Sequence, residues 1–126
     1  MRVNFEDLPL DRGVRLIQGK TLYIPVELRH NGAPVNLTDC TVTFTLVDDA
    51  GDAVVGPSPV TPHEPLDGKF IARAESSSTD DWLPGDYTYE VEVTFPAGST
   101  LFIGGAVIAV LRGAVTVVPT ILVDEE

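Results

Sequence analysis

Residues 82–95 read WLPGDYTYEVEVTF, a tight turn followed by a strictly alternating segment. In this segment Tyr87, Tyr89, Val91, Val93 and Phe95 alternate with threonine and glutamate residues. Successive side chains of a strand point to opposite faces, so a period of two over this length predicts a strand with one buried and one solvated face. The segment therefore indicates an all-β protein.

Two other segments, residues 22–29 and 41–47, alternate in the same way. The apolar positions of the three segments form the predicted core: Leu22, Ile24, Val26, Leu28, Val42, Phe44, Leu46, Tyr87, Tyr89, Val91 and Val93. Pro25 interrupts the polar face of the first segment. Because proline cannot donate to a β-ladder, this strand is expected at a sheet edge or a bulge.

Turn signals such as Asn31-Gly32 separate short apolar segments along the whole chain, and only residues 76–81 resemble a helix start. The pattern predicts an all-β, antiparallel β-sandwich of seven to eight strands, immunoglobulin-like or jelly-roll-like, with a β-barrel as the alternative. Residues 56–65 contain four prolines and are expected to form an irregular loop. Residues 101–118 are expected to form two buried strands around a kink and not a membrane span, which needs about 20 apolar residues.

A chain of 126 residues has the size of one domain. We divide it into an N-terminal arm at residues 1–13, the β-sandwich at 14–121 and an acidic tail at 122–126. Eight basic against nineteen acidic residues leave a net charge of −11, so nucleic acid is not an expected partner. Cys40 is the lone cysteine and cannot form an internal disulfide, so we expect it to be a small buried side chain.

The sequence shows no pattern typical of a metal site. His30 and His63 have no partner at zinc-ligand spacing. Asp48, Asp49 and Asp52 could attract calcium, but their spacing does not match the known calcium loop, and short aspartate clusters usually serve turns. No cofactor is expected.

An enzyme is not expected either. Glu90 and Glu92 are neighbours on one face of a strand, whereas glycosidase carboxylates face each other across a cleft, so we interpret them as solvated. A carbohydrate platform is a minor alternative, with four candidate aromatic residues: Trp82, Tyr23, Tyr87 and Tyr89. Of these, Tyr23 is the one on a polar face.

Four landmarks carry a family resemblance. They are IQGKT at residues 17–21, HNGAPVNLT at 30–38, LPGDYTYEV at 83–91 and LRGAVTVVP at 111–119. Because these landmarks occur in this order, the chain from about residue 16 to residue 121 resembles a family of small tailed-phage virion proteins. The family includes the N-terminal domain of the upper baseplate protein of lactococcal phages.

The resemblance implies assembly without catalysis: a virion protein that docks onto other phage structural proteins, capsid or tail, and forms homo-oligomers. Baseplate versions continue into a longer chain, whereas this sequence ends at Glu126, so we expect a capsid decoration (cement) protein or a head-fibre subunit. The alternatives are a tail or baseplate structural component and a host-surface carbohydrate-binding module. No membrane association is expected.

The arm is the predicted partner-binding element, because it holds apolar residues without a period of its own. Its six candidate residues are Arg2, Val3, Phe5, Leu8, Leu10 and Arg12. We expect the sandwich to fold without the arm, and the arm to contact another subunit or the shell. The two arginines could pair with Asp48, Asp49 and Asp52 of the next copy.

Overall fold

The computed structural model describes residues 1–79, 81–99 and 101–119. Its ten strands are β1 (Arg2–Asn4), β2 (Leu10–Asp11), β3 (Val14–Ile17), β4 (Leu22–His30), β5 (Ala33–Pro34), β6 (Thr41–Asp48), β7 (Ala53–Val60), β8 (Lys69–Ala74), β9 (Gly85–Phe95) and β10 (Ala106–Val118). A single turn of α-helix, α1, spans Ser76–Thr79, and two 3₁₀ turns span Phe5–Asp7 and Pro65–Asp67.

The strands form two mixed sheets around one apolar core. The small sheet contains β1, β4, β5 and β8, and the large sheet contains β2, β3, β10, β9, β6 and β7. The predicted all-β sandwich is therefore confirmed. The described residues form ten strands and not seven or eight, and β1–β4, β2–β10 and β3–β10 are parallel pairs. Strands β1, β2 and β5 have only two or three residues, which is too short to show a period in the sequence.

β9 lies in the middle of the large sheet. It pairs antiparallel with β6 on one side and with β10 on the other. With neighbours on both sides, its apolar positions face the small sheet and its threonines and glutamates face outward. All eleven predicted core residues are at most 8% exposed.

β10 differs from its prediction. Residues 106–118 form one continuous strand paired to β9, with a bulge between Ala109 and Leu111, and residues 101–105 form a loop. The bulge turns Val110 and Leu111 both into the core. Gly113 does not end the strand, but a Cβ atom at this position would collide with the carbonyl oxygen of Arg12. The glycine therefore permits a close crossing of the N-terminal segment.

β7 also extends further than predicted. It runs through Gly56, Pro57 and Pro59 to Val60, where an irregular loop was expected. Among the described residues β7 pairs only with β6, so its prolines lie in an edge strand, where a missing N–H donor is tolerated. The register shifts between Phe44 and Leu46 on β6, so β7 is irregular although it is a strand.

β4 confirms the expectation attached to Pro25. Its first half pairs with β8 on one side, and on the other side β1 begins to pair only at Glu27. The carbonyl of Pro25 accepts a bond from the Met1 amino group at 3.2 Å, so the proline nitrogen faces the same, otherwise open, edge. The Asn31-Gly32 turn follows with φ of +52° and +81°, as expected of a tight hairpin.

The N-terminal segment, residues 1–13, is not a separate arm. It contributes β1 to the small sheet and β2 to the large sheet, and the 3₁₀ turn at Phe5–Asp7 connects the two. It has no period because neither strand exceeds three residues. At the other end, the acidic tail at 122–126 and the last predicted sandwich residues lie outside the described part of the chain.

The turn before β9 places one apolar side chain inside and one outside. α1 is one turn long, and Trp82 after it is 5% exposed. Leu83, the next residue, is 73% exposed. The hydroxyl of Tyr87 donates to the Leu83 carbonyl at 2.6 Å and stabilises this turn.

Candidate functional site

The apolar residues predicted to bind a partner pack against the chain's own core. Val3 is 1% exposed, and Leu8 and Leu10 are partly buried against the core cluster. The Phe5 ring lies edge-on to Phe95, with centroids 6.1 Å apart. The reason given for an intersubunit arm, apolar residues without a core of their own, therefore does not apply. Partner binding by these residues stays a prediction.

The two arginines of this segment differ in their surroundings. Arg2 places its Nε atom 3.5 Å from a carboxylate oxygen of Glu27 within the same chain. Arg12 is held by its backbone, because its N–H donates to Arg112 at 2.8 Å and its carbonyl accepts from the Tyr89 hydroxyl at 2.7 Å. Pairing of these arginines with an acidic cluster on a second copy stays a prediction.

Asp48 organises the turn between β6 and β7. One oxygen of its carboxylate accepts from the backbone N–H groups of Ala50 at 3.0 Å and Asp52 at 2.9 Å. This is the turn function that the sequence favours over calcium binding. Within the described ranges, no three His, Cys, Asp or Glu residues form a group that could hold a metal ion.

The aromatic side chains proposed as a carbohydrate platform are mostly internal. Trp82, Tyr87 and Tyr89 are 5%, 8% and 0% exposed. Burial raises the pKa of Tyr89 to about 12. Tyr23 is 54% exposed, as predicted, but the other three candidates cannot present a face to a sugar beside it.

Glu90 and Glu92 are half-buried and not fully solvated. They occupy the outer face of β9, where side chains of β6 and β10 flank them on both sides. Burial raises the pKa of Glu90, the adjacent Glu92 carboxylate raises it further, and Arg112 on β10 opposes the shift. Cys40 is likewise half-buried, and burial raises the pKa of its thiol.

A cleft of about 510 Å³ is lined by residues between 33 and 40 on one side and by residues 95–99 and Leu101 on the other. His30 lies at its wall. The Nδ1 atom of His30 is buried, although the side chain as a whole is 42% exposed. It makes no hydrogen bond to the described atoms, and the nearest carboxylate oxygen, from Glu6, is 3.8 Å away.

Leu101 lines this cleft, and further exposed apolar side chains follow it along the chain. Leu101, Ile103 and Val107 are 36%, 81% and 62% exposed. Phe102 instead turns inward, with its ring centroid 4.9 Å from that of Phe95. We call residues 95–111, which contain these side chains and no charged residue, the uncharged segment. Residues 101–111 of this segment were expected to form a buried strand, whereas its lack of charge is the sequence signal that sets it apart in an acidic chain.

No helix among the described residues is long and apolar enough to cross a membrane. No family model matches this chain, and no curated protein matches it significantly. Among solved structures, it is similar to the N-terminal domain of phage TP901-1 ORF48, with a TM-score of 0.59 and 13% sequence identity. The match covers 92% of this chain and 93% of the phage domain. The family resemblance seen in the sequence is thus confirmed at the level of the fold.

Proposed function

We propose that this chain is a non-catalytic structural protein of a tailed-bacteriophage particle. The observation that carries the proposal is the fold, which is shared with the N-terminal domain of phage TP901-1 ORF48 over almost the full length of both chains. The four sequence landmarks of the tailed-phage family support it independently. The location that follows is the virion.

The surface of the molecule also supports docking. Ile103 and Val107 of the uncharged segment are large apolar side chains that are mostly exposed, so an isolated domain leaves apolar surface in contact with water. A virion protein covers such surface when it binds its neighbours. Other phage structural proteins are therefore the partners that we propose.

Within the particle, we propose a capsid decoration protein or head-fibre subunit as the first candidate. A tail or baseplate component is the second. The second is favoured by one specific observation, the likeness to the ORF48 domain, together with the resemblance to upper baseplate proteins. The two candidates differ in copy number and position, because a decoration protein covers a shell in many copies and a baseplate protein occupies the tail tip.

Electron microscopy of purified particles, with gold-labelled antibody against this chain, tests both levels of the proposal. We expect the chain in the particle proteome by mass spectrometry. Gold on the heads would identify the decoration candidate, and gold at the tail tip the baseplate candidate. Particles that form while the chain is expressed, yet contain none of it, would contradict the structural role altogether.

A further inference from the structure

The uncharged segment is exceptional in this chain. It comprises seventeen consecutive residues without a charge, in a protein of which 21% is charged and whose net charge is −11. Two copies of so acidic a protein repel each other at most surfaces. The repulsion is weakest where this segment of one copy meets the same segment of the other.

One edge of the uncharged segment is also an unpaired strand edge. β10 pairs with β9 along one side from Ala106 to Val117. On its other side, β2 pairs only at Leu111 and Arg112, and β3 only from Val115 onward. Residues 106–110 therefore have no partner strand on that side within the described part of the chain. Val110 is fully buried, but residues 106–109 are partly or fully exposed, so their backbone groups can pair with another strand.

The other strand edges carry the features that normally prevent such pairing. The edge strand β7 contains Pro57 and Pro59, and the edge strand β8 carries Lys69 and Arg73. The open part of β4 contains Pro25. Prolines and charges on edges block strand addition, and residues 106–110 have neither.

We propose that two copies of this chain associate by antiparallel pairing of residues 107–109, with a two-fold axis at Ile108. In this register Val107 lies opposite Ala109 of the second copy, so each larger side chain meets a smaller one. An antiparallel pair of identical strands satisfies two-fold symmetry. The two large sheets join into one, and the exposed Val107 side chain of each copy gains a neighbour. This proposal does not depend on the proposed function.

Sedimentation equilibrium of the full chain tests the proposal with two variants of equal charge. Val107→Lys puts a charge at the paired edge, and Leu83→Lys puts the same charge on a side chain that is 73% exposed and outside the uncharged segment. We expect a wild-type dimer, a dissociation constant raised about tenfold or more by Val107→Lys, and no change with Leu83→Lys. A wild-type protein that stays monomeric at its highest soluble concentration, or a dimer indifferent to Val107→Lys, would overturn the proposal.

Cross-linking tests the register separately. In a Cys40→Ala background, Ile108→Cys places two thiols across the axis at the distance of a directly opposed strand pair. We expect rapid disulfide-linked dimer under mild oxidation. The same experiment with Ile17→Cys, on an exposed position of β3, should give far less. Equal cross-linking of both variants would contradict both the proposed register and the pairing of this edge of β10.

Discussion

β9 and the N-terminal segment both contribute side chains to the core, but for different physical reasons. β9 has eleven residues between two neighbouring strands, and its alternate side chains enter the core because the period of a strand matches one-sided burial. The N-terminal segment has strands of three and two residues in different sheets. Even so, Val3 is 1% exposed, against 0% for Val91.

The difference shows what periodicity does and does not report. A long strand must keep one face apolar, and this requirement appears in the sequence. A short segment needs only a strand to pair with, and β4 and β10 provide it through parallel ladders. The two regions are joined directly, because the buried Tyr89 hydroxyl of β9 binds the Arg12 carbonyl. The following predictions test whether the N-terminal segment belongs to the core as much as β9 does.

Deleting residues 2–11 should have the largest effect. The sequence indicates that the sandwich folds without this segment, whereas the structure predicts a loss of about 5 kcal/mol or more in the free energy of unfolding. The reason is that buried Val3 and partly buried Phe5, Leu8 and Leu10 all leave the core, where a fully buried side chain contributes about 1.5–3 kcal/mol and a partly buried one less. Urea unfolding followed by circular dichroism measures the loss.

The matched control keeps the backbone and truncates only the two charged side chains, with Arg2→Ala and Arg12→Ala combined. Exposed ion pairs contribute little, so this variant should stay within about 1 kcal/mol of the wild type. If the deletion were equally harmless, the N-terminal segment would be an appendage as the sequence suggests.

Val3→Ala and Val91→Ala should destabilise the protein by similar amounts, about 1–3 kcal/mol each, because both remove methyl groups from closed packing. Leu66→Ala, at a side chain that is 69% exposed, should change stability by less than about 0.5 kcal/mol. Thermal and urea unfolding give the comparison. If Val3→Ala changed stability as little as Leu66→Ala, the N-terminal segment would not belong to the core in the way that β9 does.

Tyr89→Phe should cost about 1–2 kcal/mol, because it leaves the Arg12 carbonyl without its donor in a buried site. Tyr87→Phe removes an equally short bond to Leu83, but in a turn that water can reach, so its cost should be smaller. The ratio of the two losses, from denaturant titrations, measures how strongly β9 holds the N-terminal segment. Equal losses of stability for the two variants would mean that the Tyr89–Arg12 bond contributes no more than the Tyr87–Leu83 bond.

Glu90→Gln and Glu27→Gln should have small effects of opposite sign. The pKa of Glu90 is raised, chiefly by burial, so its ionisation costs stability as pH rises through its folded-state pKa. Glu90→Gln should therefore stabilise the protein near about pH 7, by less than about 1 kcal/mol, and not at pH values below the carboxyl range.

Glu27, which contacts Arg2 of the N-terminal segment, behaves in the opposite way. Hydrogen bonds from Arg29 lower its pKa, so it contributes stability that is present above the unfolded-state pKa and lost as pH falls through the folded-state pKa. Glu27→Gln should lower stability at neutral pH and lose its effect in acid. Unfolding midpoints of both variants, measured across this pH range, test the two predicted stability changes. Changes of the same sign at neutral pH would contradict the roles given to Glu90 and Glu27.

The long strands and their faces could be predicted from the sequence by itself. The alternation of residues 22–29, 41–47 and 85–95 places eleven side chains in the core, and all eleven are there. The edge position of Pro25 and the Asn31-Gly32 turn were also predictable. In each case the physical cause is local: side-chain period, a missing N–H donor or permitted φ angles.

Only the tertiary structure decided the rest. It made residues 1–13 part of both sheets, merged residues 106–118 into one bulged strand, and exposed Ile103 and Val107 where burial was expected. These outcomes depend on which distant strand lies beside each segment, such as β10 beside β2, and no local pattern encodes that neighbour. The sequence therefore determined which faces are apolar, while the packing of the strands decided which of them the protein covers itself.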